Sequence, residues 1–304
     1  MLLPKVSIVI TCYNKDKYIN ESIQSALNQS YKNIEIVCVN DCSTDNSKFE
    51  IERLKENVDS DFVFIDNKIN KGVIESRNLA IVFCSGEYIL PLDGDDTLEP
   101  TFVEICMNEI LNHHCRWVYT KARLIDESSS PIKEWELPEY NKELFPLQNC
   151  IPSCVSIFKK SDFVYVGMYK SYMKDGCEDH DLWLSFVEKG LTPVKVNECL
   201  FNFRCLAYSR SSIANNYTQS WRSALFQHHQ SLYANNPVVM DRLFNDYRFK
   251  YESVKETYDN LVKMYLSMNK KKRKYKKLFY IFTVLLCCLI IYTFGSSCIS
   301  VGKI

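Results

Sequence analysis

Short apolar runs alternate with amphipathic segments near the start of the chain. Residues 6–10 form a β-branched run of the kind found in strands that are buried on both faces. Ile19, Ile23 and Leu27 then recur at four-residue spacing, which predicts an amphipathic helix. Residues 34–39 supply a second apolar run. The pattern therefore predicts a β-α-β unit.

The same alternation continues through the next fifty residues. A polar loop over 40–47 is rich in helix-capping residue types, and a charged helix is expected after it, as far as about Val58. A third strand is expected over 62–65, a helix over 74–83 and a fourth strand over 88–92. Strands and helices in this order predict an α/β fold with a mostly parallel central sheet flanked by helices, and with ligands at the carboxyl ends of the strands.

Three carboxylates cluster after the fourth predicted strand. Asp93, Asp95 and Asp96 surround Gly94, where the backbone is free to turn sharply. Like charges this close either raise one another's pKa or require a divalent cation with a preference for oxygen ligands. A strand that ends in paired aspartates suits Mg²⁺ or Mn²⁺ bound against a diphosphate. The alternative is a solvated turn, because Asp-Gly is a common turn dipeptide.

Composition and charge narrow the class of protein. A chain of 304 residues with 46% hydrophobic content is globular and can bury one large core or two modest ones. Its zero net charge hides an uneven distribution, because residues 270–304 contain eight Lys or Arg and no acid. The rest of the chain is acidic, which argues against nucleic acid as the main partner. Fourteen cysteines without a recognisable signal peptide imply reduced thiols in the cytosol.

The C-terminal segment has the chemistry of a membrane anchor. A basic run over 270–277 precedes an uncharged stretch over 278–294 that extends to Val301. The basic cluster is expected on the cytoplasmic side, next to anionic headgroups. A tilted span, a helix that dips into one leaflet and a buried C-terminal helix are the alternatives.

Three regions are expected: a catalytic domain over 1–220, a helical extension over 221–269, and the basic cluster with its anchor over 270–304. Within the extension, Val254, Tyr258, Leu261, Val262 and Tyr265 mark a helical stripe. This helix either docks on the catalytic domain or pairs with a second chain, so a homodimer is one of two alternatives.

Five segments of the chain, in order, resemble the inverting family 2 glycosyltransferases of the GT-A fold, which transfer a sugar from a nucleotide-sugar. The resemblance runs from residue 5 to about 212. It is carried by VSIVITCYN (6–14), QSALNQSYKNIEIVCVNDCSTD (24–45), GVIESRNLAI (72–81), GEYILPLDGDD (86–96) and CEDHDLW (177–183).

The resemblance implies residues that bind the donor. Thr11 and Tyr13 match the loop beside the base and ribose, and Asp41 matches the carboxylate that accepts a hydrogen bond from the uracil imide. The family usually has an acid at the position of Asn40 as well, so the uracil contact rests on Asp41. Arg77 matches an arginine near the nucleotide, where a planar and permanently charged donor suits phosphate or carbonyl oxygens. An exposed helix charge is the alternative for Arg77.

The resemblance also implies the metal site. Asp95 matches the main ligand of Mn²⁺ or Mg²⁺, and Asp93 matches a metal ligand or ribose contact. The family often has a histidine that completes this site, and this chain has Leu206 in its place, which leaves the third ligand open. Arg204 is expected near the donor diphosphate.

The CEDHDLW segment supplies a general base. An inverting transfer needs a carboxylate that takes the proton of the attacking hydroxyl, and Asp179 is our choice. Glu178 and Trp183 are expected on the acceptor side. A helix N-terminus whose acids merely complement the macrodipole is the alternative, and both interpretations can hold together. His180 is left out of the metal site, because a lone histidine beside acids is more often a surface residue than a ligand.

The sequence thus predicts a membrane-anchored inverting glycosyltransferase with its catalytic domain in the cytoplasm. It would move a hexose or N-acetylhexosamine from a nucleotide-sugar, most simply a UDP-sugar, to a lipid-linked or growing glycan, as in surface polysaccharide synthesis. Two other classes remain open. One is a nucleotidyltransferase, although residues 11–17 lack the glycines of a phosphate loop. The other is a catalytically inactive binding protein of the same fold.

Overall fold

The computed structural model describes residues 3–58, 61–113, 115–207 and 218–269. The predicted alternation of strands and helices in the first hundred residues is confirmed, with each boundary within one or two residues of the expectation. The elements are β1 (Val6–Cys12), α1 (Ile19–Leu27), β2 (Ile34–Asn40), α2 (Ser47–Glu56), β3 (Phe62–Asp66), α3 (Val73–Phe83) and β4 (Tyr88–Asp93).

The later elements vary more in length. They are β5 (Thr97–Leu98), α4 (Phe102–His113), β6 (Trp117–Ile125), β7 (Pro131–Glu134), β8 (Ile157–Lys159), α5 (Lys160–Tyr165), a 3₁₀ turn (Ser171–Met173), α6 (Glu178–Glu188), β9 (Pro193–Arg204), α7 (Thr218–His228), α8 (Gln230–Ala234) and α9 (Pro237–Asn269).

The described strands form one nine-stranded sheet in the order β3-β2-β1-β4-β8-β6-β9-β5, with β7 paired to β6. The first half is parallel, because β1 pairs with β2 and β4, and β2 pairs with β3. The second half is mixed: β6 lies parallel to β9, whereas β8 lies antiparallel between β4 and β6, and β5 lies antiparallel to β9. The predicted α/β fold is therefore confirmed for the described residues, and its sheet is mixed, with the antiparallel pairs all in the second half.

Both faces of the sheet are covered, and β1 shows why the sequence folds this way. Ile8 and Ile10 point into the apolar layer that contains α1 and α4. Val9, between them, points into the opposite layer with Val37 and Ile89. Because side chains alternate across a strand, a continuous apolar run is needed where helices pack on both faces. Each such side chain contributes roughly 1.5–3 kcal/mol of burial free energy.

The chain divides into two compact units, Met1–Val239 and Met240–Ile304. Leu225 in α7 and Tyr233 in α8 are buried within the first unit, and the predicted division of the chain at residue 220 stays a prediction. Within the described ranges, no helix has both the length and the apolar character needed to cross a bilayer. The predicted anchor over 270–304 lies outside the described residues.

Candidate active site

The candidate site lies where three neighbouring parallel strands end. The β1 residue Thr11 is in register with Asp93 at the end of β4, and Cys12 is in register with Asn40 at the end of β2. The carboxyl ends of parallel strands meet at the same edge of a sheet, so the loops that follow converge there. The Thr11 hydroxyl donates to Asp93 Oδ1 at 3.3 Å, which joins two of the predicted site residues directly.

Asp41 is buried at this edge, and backbone and side-chain donors surround its carboxylate. Oδ1 accepts hydrogen bonds from Asn67 Nδ2 at 2.9 Å and from the Lys71 amide at 2.9 Å, and Oδ2 accepts one from the Gly72 amide at 2.8 Å. A carboxylate has about four acceptor positions. Among the hydrogen bonds of the described residues, one position on Oδ2 therefore remains for a ligand N–H group.

The loop after β1 is tied to the loop after β2. Asn14 adopts a left-handed backbone conformation, with φ of 53°, and its side-chain oxygen accepts a hydrogen bond from the Thr44 amide at 2.8 Å. The backbone N–H of Asn14 donates to Ser43 Oγ at 3.0 Å. Tyr13, beside it, is 47% exposed. Its ring is therefore accessible to a planar ligand at the sheet edge.

The acidic loop after β4 turns tightly against β1. The Gly94 amide donates to the Thr11 carbonyl at 2.9 Å, and the Asp96 amide donates to the Asp93 carbonyl at 3.0 Å. A Cβ atom on residue 94 would lie 3.0 Å from the Thr11 carbonyl oxygen, so glycine allows the loop to approach the strand this closely.

Two cations partner the carboxylates of this loop. Lys15 Nζ lies 2.5 Å from Asp95 Oδ2, and Arg77 Nη2 pairs with Asp93 Oδ1. Burial raises the pKa of Asp95, the Lys15 ammonium opposes this shift, and the negative charge of Asp93 adds to it. Burial also raises the pKa of Asp96 well above its usual range, with the charges of Asp95 and Asp93 adding to the effect. Burial is thus the largest cause of both shifts, and repulsion between neighbouring carboxylates adds to it.

Arg77 links the acidic loop to helix α6. Its side chain is buried, and Nη1 lies 2.8 Å from Glu178 Oε1 while Nη2 contacts Asp93. Its guanidinium carbon lies 5.6 Å from the centroid of the Tyr169 ring. The alternative of an exposed helix charge is therefore wrong. Arg77 instead holds two predicted site carboxylates on the same side of the sheet edge.

Asp179 and Asp93 share surroundings at the Cys154 thiol. Cys154 Sγ lies 3.9 Å from Asp93 Oδ2. Burial raises the pKa of this thiol, Arg77 opposes the shift, and the negative charges of Asp93, Asp179 and Glu178 add to it. The carboxylates at the end of β4 and at the start of α6 thus both act electrostatically on one buried atom.

Helix α6 presents these acids from its first turn. It begins at Glu178, and Cys177 before it has a left-handed φ of 57°. Asp179 is half-buried, and its Oδ1 accepts a hydrogen bond from the His180 amide at 2.8 Å. Carboxylates in the first turn complement the helix dipole, so the structural alternative considered for this segment holds alongside a role in the site.

Two predicted site residues lie in the interior. The Arg204 side chain is 0% exposed, and it donates from Nε to the Asp95 carbonyl at 2.8 Å and from Nη1 to the Asp126 carbonyl at 3.0 Å. Arg204 therefore stabilises the backbone of the acidic loop from the protein interior. Trp183 is fully buried and stacks on Trp117, with 4.7 Å between ring centroids. The predicted contacts of these two residues with diphosphate and acceptor stay predictions.

Two histidines near α6 have opposite charge states. Burial lowers the pKa of His180 to about 4, and its neutral ring donates from Nε2 to the Phe145 carbonyl at 3.0 Å. His180 therefore lies in the core. Burial alone also lowers the pKa of His229, but hydrogen bonds to Asp181 and Glu188, at 3.0 Å each, outweigh it and raise that pKa to about 9. His229 thus ties the segment between α7 and α8 to the helix that carries Asp179.

The carboxylates at the acidic loop match the donor preference of a hard divalent cation. Among the residues that the structure describes, no group of three or more His, Cys, Asp or Glu side chains is arranged to hold a metal unaided. Mg²⁺ and Mn²⁺ commonly take only one or two protein carboxylates, and phosphate oxygens and water complete the shell. Asp95 and Asp93 fit that mode, with Lys15 and Arg77 now beside them. Leu206 offers no ligand atom.

Sequence reasoning did not find three residues of this site. Lys15 and Cys154 are far in sequence from the acids they contact, Tyr169 lies against Arg77, and none of the three belongs to a motif with recognisable chemistry. Cys154 is a buried free cysteine. A charged residue directly after a strand end, such as Lys15 after β1, was the one available signal.

An acidic site at the carboxyl ends of parallel strands, in an α/β protein with a mixed sheet, is the arrangement of a nucleotide-binding transferase. A family model described as "Glycosyl transferase family 2" matches residues 7–163, about half of the chain. The chain belongs to glycosyl transferase family 2, which confirms the resemblance found in the sequence.

Sequence similarity to individual glycosyltransferases covers more of the chain than the family model does. The chain is 28% identical over 222 residues to the putative teichuronic acid biosynthesis glycosyltransferase TuaG of Bacillus subtilis, covering 73% of this chain and 84% of that protein. It is 29% identical over 216 residues to the Escherichia coli UDP-Glc:alpha-D-GlcNAc-diphosphoundecaprenol beta-1,3-glucosyltransferase WfgD, covering 69% of this chain and 80% of that protein. The crystal structure of S. aureus TarS 1-349 in complex with UDP-GlcNAc has a TM-score of 0.56 at 18% identity, over 68% of this chain and 60% of that one. The TarS likeness supports the GT-A-like fold.

Proposed function

We propose that this protein is an inverting glycosyltransferase that moves a hexose or N-acetylhexosamine from a UDP-sugar to a lipid-linked or growing glycan in surface polysaccharide synthesis. Two relatives support the acceptor class by their names: TuaG is named for teichuronic acid biosynthesis, and WfgD for transfer to a sugar on diphosphoundecaprenol. The structural neighbour with bound UDP-GlcNAc supports the donor class.

One observation carries the proposal. Arg77 bridges Asp93, at the end of β4, and Glu178, which precedes Asp179 in the first turn of α6. A direct displacement needs the leaving group on one side of the anomeric carbon and a base for the nucleophile on the other. In our proposal, the carboxylates of these two elements supply the two sides.

Asp179 acts as the general base. It takes the proton of the acceptor hydroxyl as that oxygen forms a bond to the anomeric carbon. The bond between the anomeric carbon and the diphosphate oxygen breaks, and its electron pair leaves with UDP. One displacement inverts the configuration at that carbon. Glu178 is the acid next to the base, and its contact with Arg77 fixes the start of α6.

In this proposal, the acidic loop binds the diphosphate of the donor through a metal ion. When bound, Mg²⁺ or Mn²⁺ would neutralise the negative charge that develops on the leaving group. Asp95 would be its main ligand and Asp93 a second ligand or a ribose contact. Lys15 and Arg77 already hold these carboxylates in place, and either cation is close enough to the acids to add positive charge at the same loop.

The nucleoside side of the donor would lie over the loops after β1 and β2. The remaining acceptor position of Asp41 Oδ2 matches the imide N–H of uracil, and that carboxylate is rigidly held by the Gly72 and Lys71 amides. The exposed ring of Tyr13 offers a surface on which a base can stack. Thr11, bonded to Asp93, lies between the nucleoside loop and the acidic loop.

We also propose that residues 270–304 attach the enzyme to a membrane, with the catalytic unit on the cytoplasmic face. The basic run and the uncharged stretch after it support this. Deleting residues 270–304 should move the protein from the membrane pellet to the supernatant after high-speed centrifugation. Persistent pelleting of a folded, truncated protein would contradict the anchor.

The decisive experiment for the activity is a donor screen followed by product analysis. UDP-sugars with Mn²⁺ or Mg²⁺ should raise the melting temperature, and the stabilising donor should release UDP in the presence of a sugar-diphospho-polyprenol acceptor. Nuclear magnetic resonance of the product should show inverted anomeric configuration. Pyrophosphate release from a nucleoside triphosphate would instead indicate a nucleotidyltransferase. Donor binding with neither transfer nor hydrolysis would indicate an inactive binding protein.

A further inference from the structure

Helix α9 carries a stripe of apolar and aromatic residues with a strict spacing. The steps between successive members alternate between four and three residues throughout, which gives an average period of 3.5. The nine members are Met240, Phe244, Tyr247, Tyr251, Val254, Tyr258, Leu261, Tyr265 and Met268.

This period distinguishes between the kinds of partner that the stripe fits. A straight α-helix drifts by about 20° per heptad relative to a 3.5-residue repeat, so four heptads accumulate about 80°. A helix that lies on a flat sheet or a bilayer surface needs an apolar arc that follows 3.6 residues per turn. A stripe that keeps the 3.5 period over its full length is typical of a helix that winds around another helix.

Four members of the stripe are exposed in the structure. α9 is continuous over Pro237–Asn269, and its residues from Met240 onward belong to the second compact unit. Met240 is 47% exposed, Phe244 66%, Tyr251 50% and Tyr258 45%. Four large apolar side chains at repeat positions thus offer a continuous surface for a partner.

We propose that α9 pairs with α9 of a second copy of this chain in a parallel two-stranded coiled coil. Phe244, Tyr251, Tyr258 and Tyr265 occupy the a positions, and Met240, Tyr247, Val254, Leu261 and Met268 occupy the d positions. The core layers extend over roughly 42 Å at 1.5 Å per residue.

The net charge of α9 does not oppose self-association. Residues 240–269 contain five acids and five bases, so two copies carry no net charge that would drive them apart. The outward b and c positions are largely polar, and Arg248 and Glu252 form an ion pair at 3.5 Å within one helix. The parallel direction rests on the proposed membrane attachment, because two chains anchored through 270–304 in one membrane face have their C-terminal ends on the same side.

Cysteine crosslinking of the full-length protein tests both the pairing and its direction. Leu261→Cys places a thiol at a d position. In a parallel, in-register pair this thiol faces its own copy within disulfide distance. In an antiparallel pair about the middle of the stripe, residue 261 would face residue 244 and lie roughly 26 Å from its own copy. Lys263→Cys, two residues later on the outward face, is the matched control.

Mild oxidation should convert Leu261→Cys to a disulfide-linked dimer at least tenfold faster than it converts Lys263→Cys or the parent, which reports any background from the native cysteines. The parent in detergent should have a dimer mass by sedimentation, and Leu261→Glu should weaken dimerisation at least tenfold where Lys263→Glu does not. A monomer mass, equal crosslinking of both cysteine variants, or a larger oligomer would overturn the proposal. Membrane pelleting of the same variants tests the anchor separately.

Discussion

His229 makes stability depend on pH in a way that the structure specifies. The ring is buried between α6 and the segment that joins α7 to α8, with Asp181 and Glu188 at 3.0 Å from its two nitrogens. Tyr172 donates to the same Asp181 Oδ1 at 3.0 Å, and Ser231 donates to Glu188 at 2.7 Å. The carboxylates stabilise the protonated ring, so the folded protein holds this proton more tightly than the unfolded chain.

The size of the effect follows from the pKa. Folding raises the pKa of His229 from its ordinary value of 6.5 to about 9. Each unit corresponds to 1.36 kcal/mol, so the difference is worth about 3 kcal/mol. Because the folded-state pKa is the higher one, this stabilisation is fully present below pH 6.5 and is lost as the pH rises through 9.

Denaturant unfolding at pH 6.5, 8 and 9.5 measures this directly. His229→Gln should lower the free energy of unfolding by about 3 kcal/mol at pH 6.5, and the gap to the parent should nearly close at pH 9.5. Gln227→Ala, at an exposed residue without charge in α7, should show no such trend. A gap between parent and His229→Gln that stays constant across the three pH values would refute the reasoning.

Three further predictions test separate parts of the molecule. Asp41→Asn should weaken UDP binding by about tenfold or more, since a hydrogen bond to a charged group contributes roughly 1.5–3 kcal/mol, and an unchanged dissociation constant in calorimetry would contradict it. Gly94→Ala should cost about 1–3 kcal/mol in thermal unfolding, because its Cβ would lie 3.0 Å from the Thr11 carbonyl, and parent-like stability would count against the tight turn. Burial lowers the pKa of His180 to about 4, so the unfolded chain takes up this proton before the folded protein does, and the parent should lose free energy of unfolding as the pH falls from 6.5 to 4. His180→Gln should lose less over that range, and equal losses would contradict a neutral buried ring.

The first half of the fold was predictable because each of its strands has a strong local signal. β1 and β2 are apolar along their length, since helices cover both faces of the sheet, and α1 repeats its apolar residues every four positions. The second half lacks such signals. β8 is three residues long and pairs antiparallel with both β4 and β6, so no local period shows it. Its position depends on the partners already in the sheet.

The candidate site was predictable to a similar extent. Asp93 and Arg77 were found from motifs, and their direct pairing is a tertiary fact that joins β4 and α3. Lys15 and Cys154 were not found, because their roles arise only when loops 80 and 61 residues away fold against them. Arg204 lies beneath the acidic loop, and no sequence pattern distinguishes an arginine that binds phosphate from one that braces a loop backbone.

Asp179→Asn tests the central claim most directly. The amide keeps the shape of the side chain but does not accept the proton of the acceptor hydroxyl. We expect the transfer rate to fall by about 10²–10⁴, the usual contribution of a general base, and the dissociation constant for UDP with Mn²⁺ to stay within twofold of the parent value. Glu56→Gln, an exposed carboxylate at the end of α2, should leave both unchanged. Transfer at the parent rate by Asp179→Asn would contradict the mechanism.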